Sequence, residues 1–166
     1  MFLDLPLILE TRRNHALEHA TLHVLAVKYP KQSLAGHSNP TGYFILGNVP
    51  TEEVSTAARQ ALNLLKHGER DLAIHHGCGT NIATTALLAG GLAWLVLKGA
   101  RSNFGRLLRL PFALGFAVLG LTLSRPLGPW LQAKVTTEAE LGNLDIVKVR
   151  RVGRGRLSAH RVITRG

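Results

Sequence analysis

Leu17, Leu22, Val24, Leu25 and Val27 recur at helical spacing within residues 7–28, and Tyr29-Pro30 closes the segment. Apolar residues at such intervals share one face of a helix. The next stretch changes period. Tyr43-Phe44-Ile45-Leu46 follows Asn39-Pro40-Thr41-Gly42 and precedes Gly47. This predicts a β-hairpin over 32–49 with its turn at 39–42. Pro50-Thr51-Glu52-Glu53 opens a second helix, with Thr51 as the expected cap and the two acids suited to the positive end of the dipole. Val54, Ala58, Ala61, Leu62 and Leu65 supply its buried stripe, and Gly68 its stop.

From Leu72 to Leu97 the chain carries no Asp, Glu, Lys or Arg. The run 80–97 has the length of a short membrane span, and Gly90-Gly91 with the small residues around them would allow close helix contact in lipid. Lys98, Arg101, Arg106 and Arg109 make a compact basic loop, after which residues 110–124 are uncharged again. Arg125 can snorkel, Pro126-Leu127-Gly128-Pro129-Trp130-Leu131 extends the apolar stretch, and Trp130 suits an interface. A transmembrane helical hairpin over 80–131 is expected; the soluble alternative is a buried helical hairpin. Residues 144–152 and 156–164 are β-rich on either side of Gly153-Arg154-Gly155, which predicts a second, strongly basic hairpin. The fold class expected is α+β. A small helix/β-hairpin domain covers 1–79, the membrane hairpin 80–131, and a basic β-hairpin tail 132–166 packs on the first domain.

Composition agrees with a membrane contact. Apolar residues make up 46% of the chain and charged residues 18%, against roughly 25% charged in soluble domains. The net charge of +10 is unevenly placed: residues 1–80 balance seven basic against seven acidic residues, while 81–166 hold thirteen and three. These basic residues flank apolar runs, which suits anionic lipid headgroups better than nucleic acid. Nucleic-acid binding is further disfavoured because 134–166 contain no Phe, Trp or Tyr on which bases stack. Cys78 is the single cysteine, so no intrachain disulfide forms. Met1–Leu7 lacks a basic region and does not read as a signal peptide.

The chemistry concentrates in two short motifs. His15-Ala16-Leu17-Glu18-His19 is H-x-x-E-H, two histidines four apart on one helix face with a glutamate beside the second. Inverted and direct versions of this spacing occur in zinc hydrolases. The bland alternative is an amphipathic helix with solvated histidines. His75-His76-Gly77-Cys78 adds H-x-x-C on a glycine-bearing turn just before the first span. His15, His19, His75 and Cys78 together suit Zn²⁺, or another divalent transition metal, better than Mg²⁺ or Ca²⁺. Glu18 is the candidate general base, with a further ligand or a hydrogen-bonding partner to a histidine as its other roles. Thr80 or Asn81 would cap the span. Asn81, Thr136 and Thr137 are candidate site-lining residues, and His23 and His76 are expected to be solvated or supporting.

Three segments in order resemble the YqhQ-like family of predicted metal-dependent integral-membrane proteins. That family carries H-G-A-E-H-K, then H-P-x-C-G-T-[SN], then P-x-x-W-L-Q-x-x-T-T after its apolar spans. The corresponding segments here are His15–Ala20, His75–Asn81 and Gly128–Thr137. The 32–49 hairpin and the basic tail have no counterpart in that pattern. The resemblance implies a metal site and a membrane, but no substrate.

The function expected is a multi-pass protein of the plasma (inner) membrane, most readily a metal-dependent hydrolase acting at the bilayer surface on a lipid-linked or membrane-protein substrate. A scaffold or assembly subunit of a membrane complex, with a structural zinc, is the alternative. A thiolate ligand favours the cytoplasmic side for the metal-site domain.

Overall fold

The computed structural model describes residues 2–100, 102–152 and 158–166. The Gly153-Arg154-Gly155 turn and Arg101 lie outside the described residues. The fold is mixed α+β, with four helices and a four-stranded antiparallel sheet, and it divides into two compact units.

The first unit comprises residues 1–75 and 132–166. Its first helix, α1, spans Pro6–Lys28, with proline in the first turn where a missing N–H costs nothing. Leu17, Leu22 and Leu25 face the core as the spacing predicts, together with Ala16 and Ala20. Val27 does not; it is 86% exposed, being two residues beyond the last buried turn. The same helix also buries Arg12, Asn14, Glu18, His19 and Thr21.

Strands β1 (Ala35–Asn39) and β2 (Gly42–Leu46) form the first hairpin, and the Asn39 side chain accepts from the Thr41 N–H to shape its turn. Helix α2 (Thr51–Lys66) buries Val54, Ala58, Ala61, Leu62 and Leu65. The expected Thr51 cap is not formed. Pro50 occupies the flanking position, and no side chain caps the helix; the Pro50 carbonyl accepts from Glu53 and Val54 instead. Gly68 ends the helix region at φ 97°, a backbone conformation that favours glycine.

Strands β3 (Asp145–Arg151) and β4 (Ala159–Arg165) make the C-terminal hairpin, and the sheet order is β1-β2-β4-β3. Tyr43 pairs with Val162 and Ile45 with His160 across β2 and β4. Tyr43, Ile45, Val162 and Ile146 join the buried side chains of α1 and α2 in one core. Asn14 ties this sheet to α1. Its amide donates to the Asn39 and Pro40 carbonyls at 3.1 and 3.2 Å, and its oxygen accepts from Thr164 at 2.6 Å.

The second unit, residues 76–131, is an antiparallel pair of helices, α3 (Gly79–Lys98) and α4 (Asn103–Leu131). Both are long and apolar enough to cross a membrane. Their large side chains point outward: Leu87, Trp94, Phe112 and Leu114 are exposed. The contact between them is built from small and hydroxylated residues instead. A Cβ on Gly120 would sit 2.6 Å from the Ala89 Cα, and Thr85 donates to Ser124 at 3.0 Å. Gly90 and Gly91 do not serve this contact, since a Cβ on either meets nothing within 4 Å. Helix α4 runs through Pro111, Pro126 and Pro129, residues that break helices in water but are accommodated in membrane spans.

Candidate metal centre

Within the first unit, α1 lines up three imidazoles and the segment ahead of α3 supplies a fourth. The rings of His15 and His19 are 4.3 Å apart, those of His19 and His75 5.6 Å, and those of His23 and His75 5.1 Å. The four-residue interval turns His15, His19 and His23 to one side of the helix. A 3₁₀ turn over Arg70–Ala73 leads the chain past them, so that its exit carries Ile74 and His75 to the same column.

Backbone carbonyls fix the rings. His15 Nδ1 meets the Thr136 carbonyl at 2.9 Å, and His19 Nδ1 meets the Ala73 carbonyl at 2.7 Å. A carbonyl only accepts, so in each ring Nδ1 carries the proton and donates. The neutral ring then presents its lone pair at Nε2, the arrangement common in histidine metal ligands. His23 is held the other way round: its Nε2 donates to the Ile74 carbonyl at 2.8 Å. His23 therefore supports the column, as one of the two roles expected for it.

Thr136 enters this site through its carbonyl. It ends a π-helical turn, Gln132–Thr136, that returns the chain to the first unit. Thr137 is buried, with its hydroxyl donating to the Gln132 carbonyl at 2.8 Å. Gln132 is itself fully buried, and its side-chain oxygen accepts from the His75 N–H at 2.9 Å. Arg12 clamps the same segment. Its guanidinium donates to the Val135 and Thr137 carbonyls at 2.9 and 3.0 Å and pairs with Glu138 at 3.3 Å. Arg12 and Gln132 were not singled out by spacing. Both act on backbone groups, which leave no motif in a sequence.

Glu18 is 4% exposed and turns towards β1. Ser38 donates to one of its carboxylate oxygens, and Gly36 lies against the other so closely that a Cβ there would overlap it. Ser38 and Gly36 were also missed by sequence reasoning, because they belong to a strand eighteen or more residues along the chain. The neighbouring Tyr43 hydroxyl is shared with Thr21 at 2.8 Å, and burial pushes its ionisation well above the usual tyrosine range.

In the second unit, Cys78 is buried and stands at the N-terminal flank of α3. The expected caps were Thr80 or Asn81; the cap is Cys78 itself, whose sulfur accepts from the Thr80 N–H at 3.4 Å. A helix N-terminus favours negative charge, which suits a thiolate. Asn81 donates to the His76 carbonyl at 3.0 Å, and His76 is exposed.

The family described as DUF6391, a domain of unknown function, matches residues 10–149. The chain belongs to the DUF6391 family. The matched range contains both histidine motifs, α3, α4 and most of β3. An uncharacterised protein of the cyanobacterium Picosynechococcus is 35% identical to this DUF6391 chain over 156 residues, covering 86% of it and 72% of the relative. No solved structure matches. The resemblance to an uncharacterised family thus holds at that level, and the matching family is DUF6391 rather than the YqhQ-like one.

Proposed function

We propose that this chain is a membrane-embedded, metal-dependent hydrolase whose ion, Zn²⁺ or another divalent transition metal, is held by His15, His19 and Cys78. The observation that carries the reading is the pair of Nδ1–carbonyl hydrogen bonds, which leave two edge-to-face imidazoles with Nε2 as the atom to coordinate. Each of the three residues offers one ligand atom, a borderline-soft N₂S set suited to zinc. Three protein ligands leave a fourth position for water, and a metal there supplies a nucleophile at neutral pH and polarises a carbonyl or phosphoryl oxygen. Glu18, whose carboxylate Ser38 and Gly36 hold, is the group that would take a proton from a metal-bound water.

α3 and α4 cross the plasma (inner) membrane in this reading, with the metal on the cytoplasmic side where thiols stay reduced. Lys148, Arg150 and Arg151, all exposed on β3, contact anionic headgroups. The substrate is then lipid-linked or a membrane protein.

A second reading is a structural zinc closing a scaffold or assembly subunit, and the ring of His75 at 5.6 Å from His19 favours it as a fourth ligand. Cobalt substitution of the purified chain separates the two. An open position predicts visible bands that shift on adding azide, with Glu18→Gln retaining metal while Cys78→Ser loses the sulfur-to-cobalt band. Bands insensitive to azide establish the closed, structural shell. Absence of stoichiometric metal in the wild-type chain sinks both.

A further inference from the structure

The helical hairpin holds a pocket at the end formed by the start of α3 and the close of α4. It encloses about 370 Å³ between α3 and α4 and is lined by His76, Asn81, Thr85, Ser124, Arg125 and Pro129. Arg125 is the only charged residue between Arg109 and Lys134. Among the described residues its guanidinium has no ion pair and no hydrogen bond. Thr85 donates to Ser124 at 3.0 Å and Ser124 to the Leu121 carbonyl at 2.8 Å, so both hydroxyl protons are used within the hairpin, and no carboxylate lines the pocket to compete with an anion for Arg125. Ile82, Leu121, Leu127 and Trp130, on the same two helices, are exposed apolar side chains.

An unpaired cation within a span is costly unless it meets a partner, and such residues mark ligand sites. Arginine's planar fork of donors matches a phosphate. The exposed apolar surface on the same helices suits acyl chains and offers nothing to a free, fully hydrated anion. We propose that this pocket binds the phosphate headgroup of an anionic membrane lipid, with Arg125 as its principal contact. The site names the class of molecule presented to this protein: a phosphate-bearing lipid. It rests on the membrane reading of α3 and α4 and is independent of whether a metal is bound.

The full chain, purified in detergent, is titrated with phosphatidic acid and followed by native mass spectrometry. Binding is expected to fall at least tenfold in Arg125→Gln. Arg106→Gln, an exposed basic residue elsewhere on α4, is expected to bind as the wild type does. Diacylglycerol of the same chains tests the phosphate, and millimolar inorganic phosphate as competitor tests the acyl part; neither is expected to occupy the site. Unchanged binding in Arg125→Gln, an equal loss in Arg106→Gln, or equal binding of diacylglycerol overturns the assignment. Displacement by inorganic phosphate overturns the lipid as its source. Extraction of the chain from membranes by salt alone overturns the membrane reading, an outcome separate from all of these.

Discussion

Helices α1 and α3 are of similar length, 23 and 20 residues, and they bury opposite things. α1 hides a polar stripe of Arg12, Asn14, Glu18, His19 and Thr21 beside its leucines, and each of these polar groups has a stated partner. α3 hides Thr84 and displays Leu87, Trp94 and Leu95. Burying polar groups costs free energy unless they are fully hydrogen-bonded, so a helix that does so five times serves more than packing. Displaying large apolar groups costs free energy in water, so a helix that does so is built for lipid or for cover. The contrast is between a scaffold for a site and a surface for a solvent.

The sharpest test of the α1 side is His19→Ala. The substitution empties ring volume in the core and strands the Ala73 carbonyl that the ring now satisfies. A loss of about 3–4 kcal/mol is expected by denaturant melting, with loss of bound metal. If the variant melts as the wild type does, the buried polar stripe is not a supporting structure.

Gly36→Ala probes the neighbouring carboxylate. A Cβ at this position overlaps Glu18, and the strand and helix backbones leave little room to part. About 2–3 kcal/mol of destabilisation is expected, recovered largely when Glu18→Ala is combined with it. A double variant no more stable than Gly36→Ala alone would show that the strain lies elsewhere.

Gly120→Leu carries the same logic to the second unit. The new side chain meets the α3 backbone at Ala89, whereas Gly115→Leu on the same helix meets open space. In detergent, a loss of about 1–2 kcal/mol is expected for the first and none for the second. Equal effects would mean that the small-residue contact does not hold the hairpin.

Much of this arrangement was legible in the sequence because it rests on local rules. The hairpin turn at 39–42 follows from Asn39 shaping the chain two residues on, and the stripe of α2 from its spacing. The column of His15, His19 and His23 is a property of any helix through those positions. What escaped has non-local causes. Gly36 and Ser38 hold Glu18 only because β1 packs on α1. Gln132 and Arg12 grip backbone groups from distant segments. Cys78 was weighed as a ligand and never as a cap, because sulfur is a weak acceptor. Of the small residues read as the helix contact, Ala89 meets Gly120 while its neighbours Gly90 and Gly91 face away from α4, since spacing alone does not tell which side meets the partner.

The smallest expected effect concerns His160, buried in β4 opposite Ile45 and Arg151. Burial, and then the charge of Arg151, lowers its pKa from the ordinary histidine range. A depressed histidine stays neutral in the folded chain at a pH where the unfolded chain has already bound the proton. Its contribution is therefore complete above the unfolded value of about 6.5, and stability is lost as pH falls from there through the folded value. His160→Phe removes that linkage without adding a charge. The variant's stability is expected to decline less steeply than the wild type's between pH 6.5 and the acid side, with the two curves parallel above about pH 7. Two parallel curves at every pH would mean that His160 takes up its proton in the folded sheet as readily as in the unfolded chain. The sheet of the first unit would then be as tolerant of charge as its exposed neighbour β3, and the sheltered interior inferred for α1's polar stripe would stop short of β4.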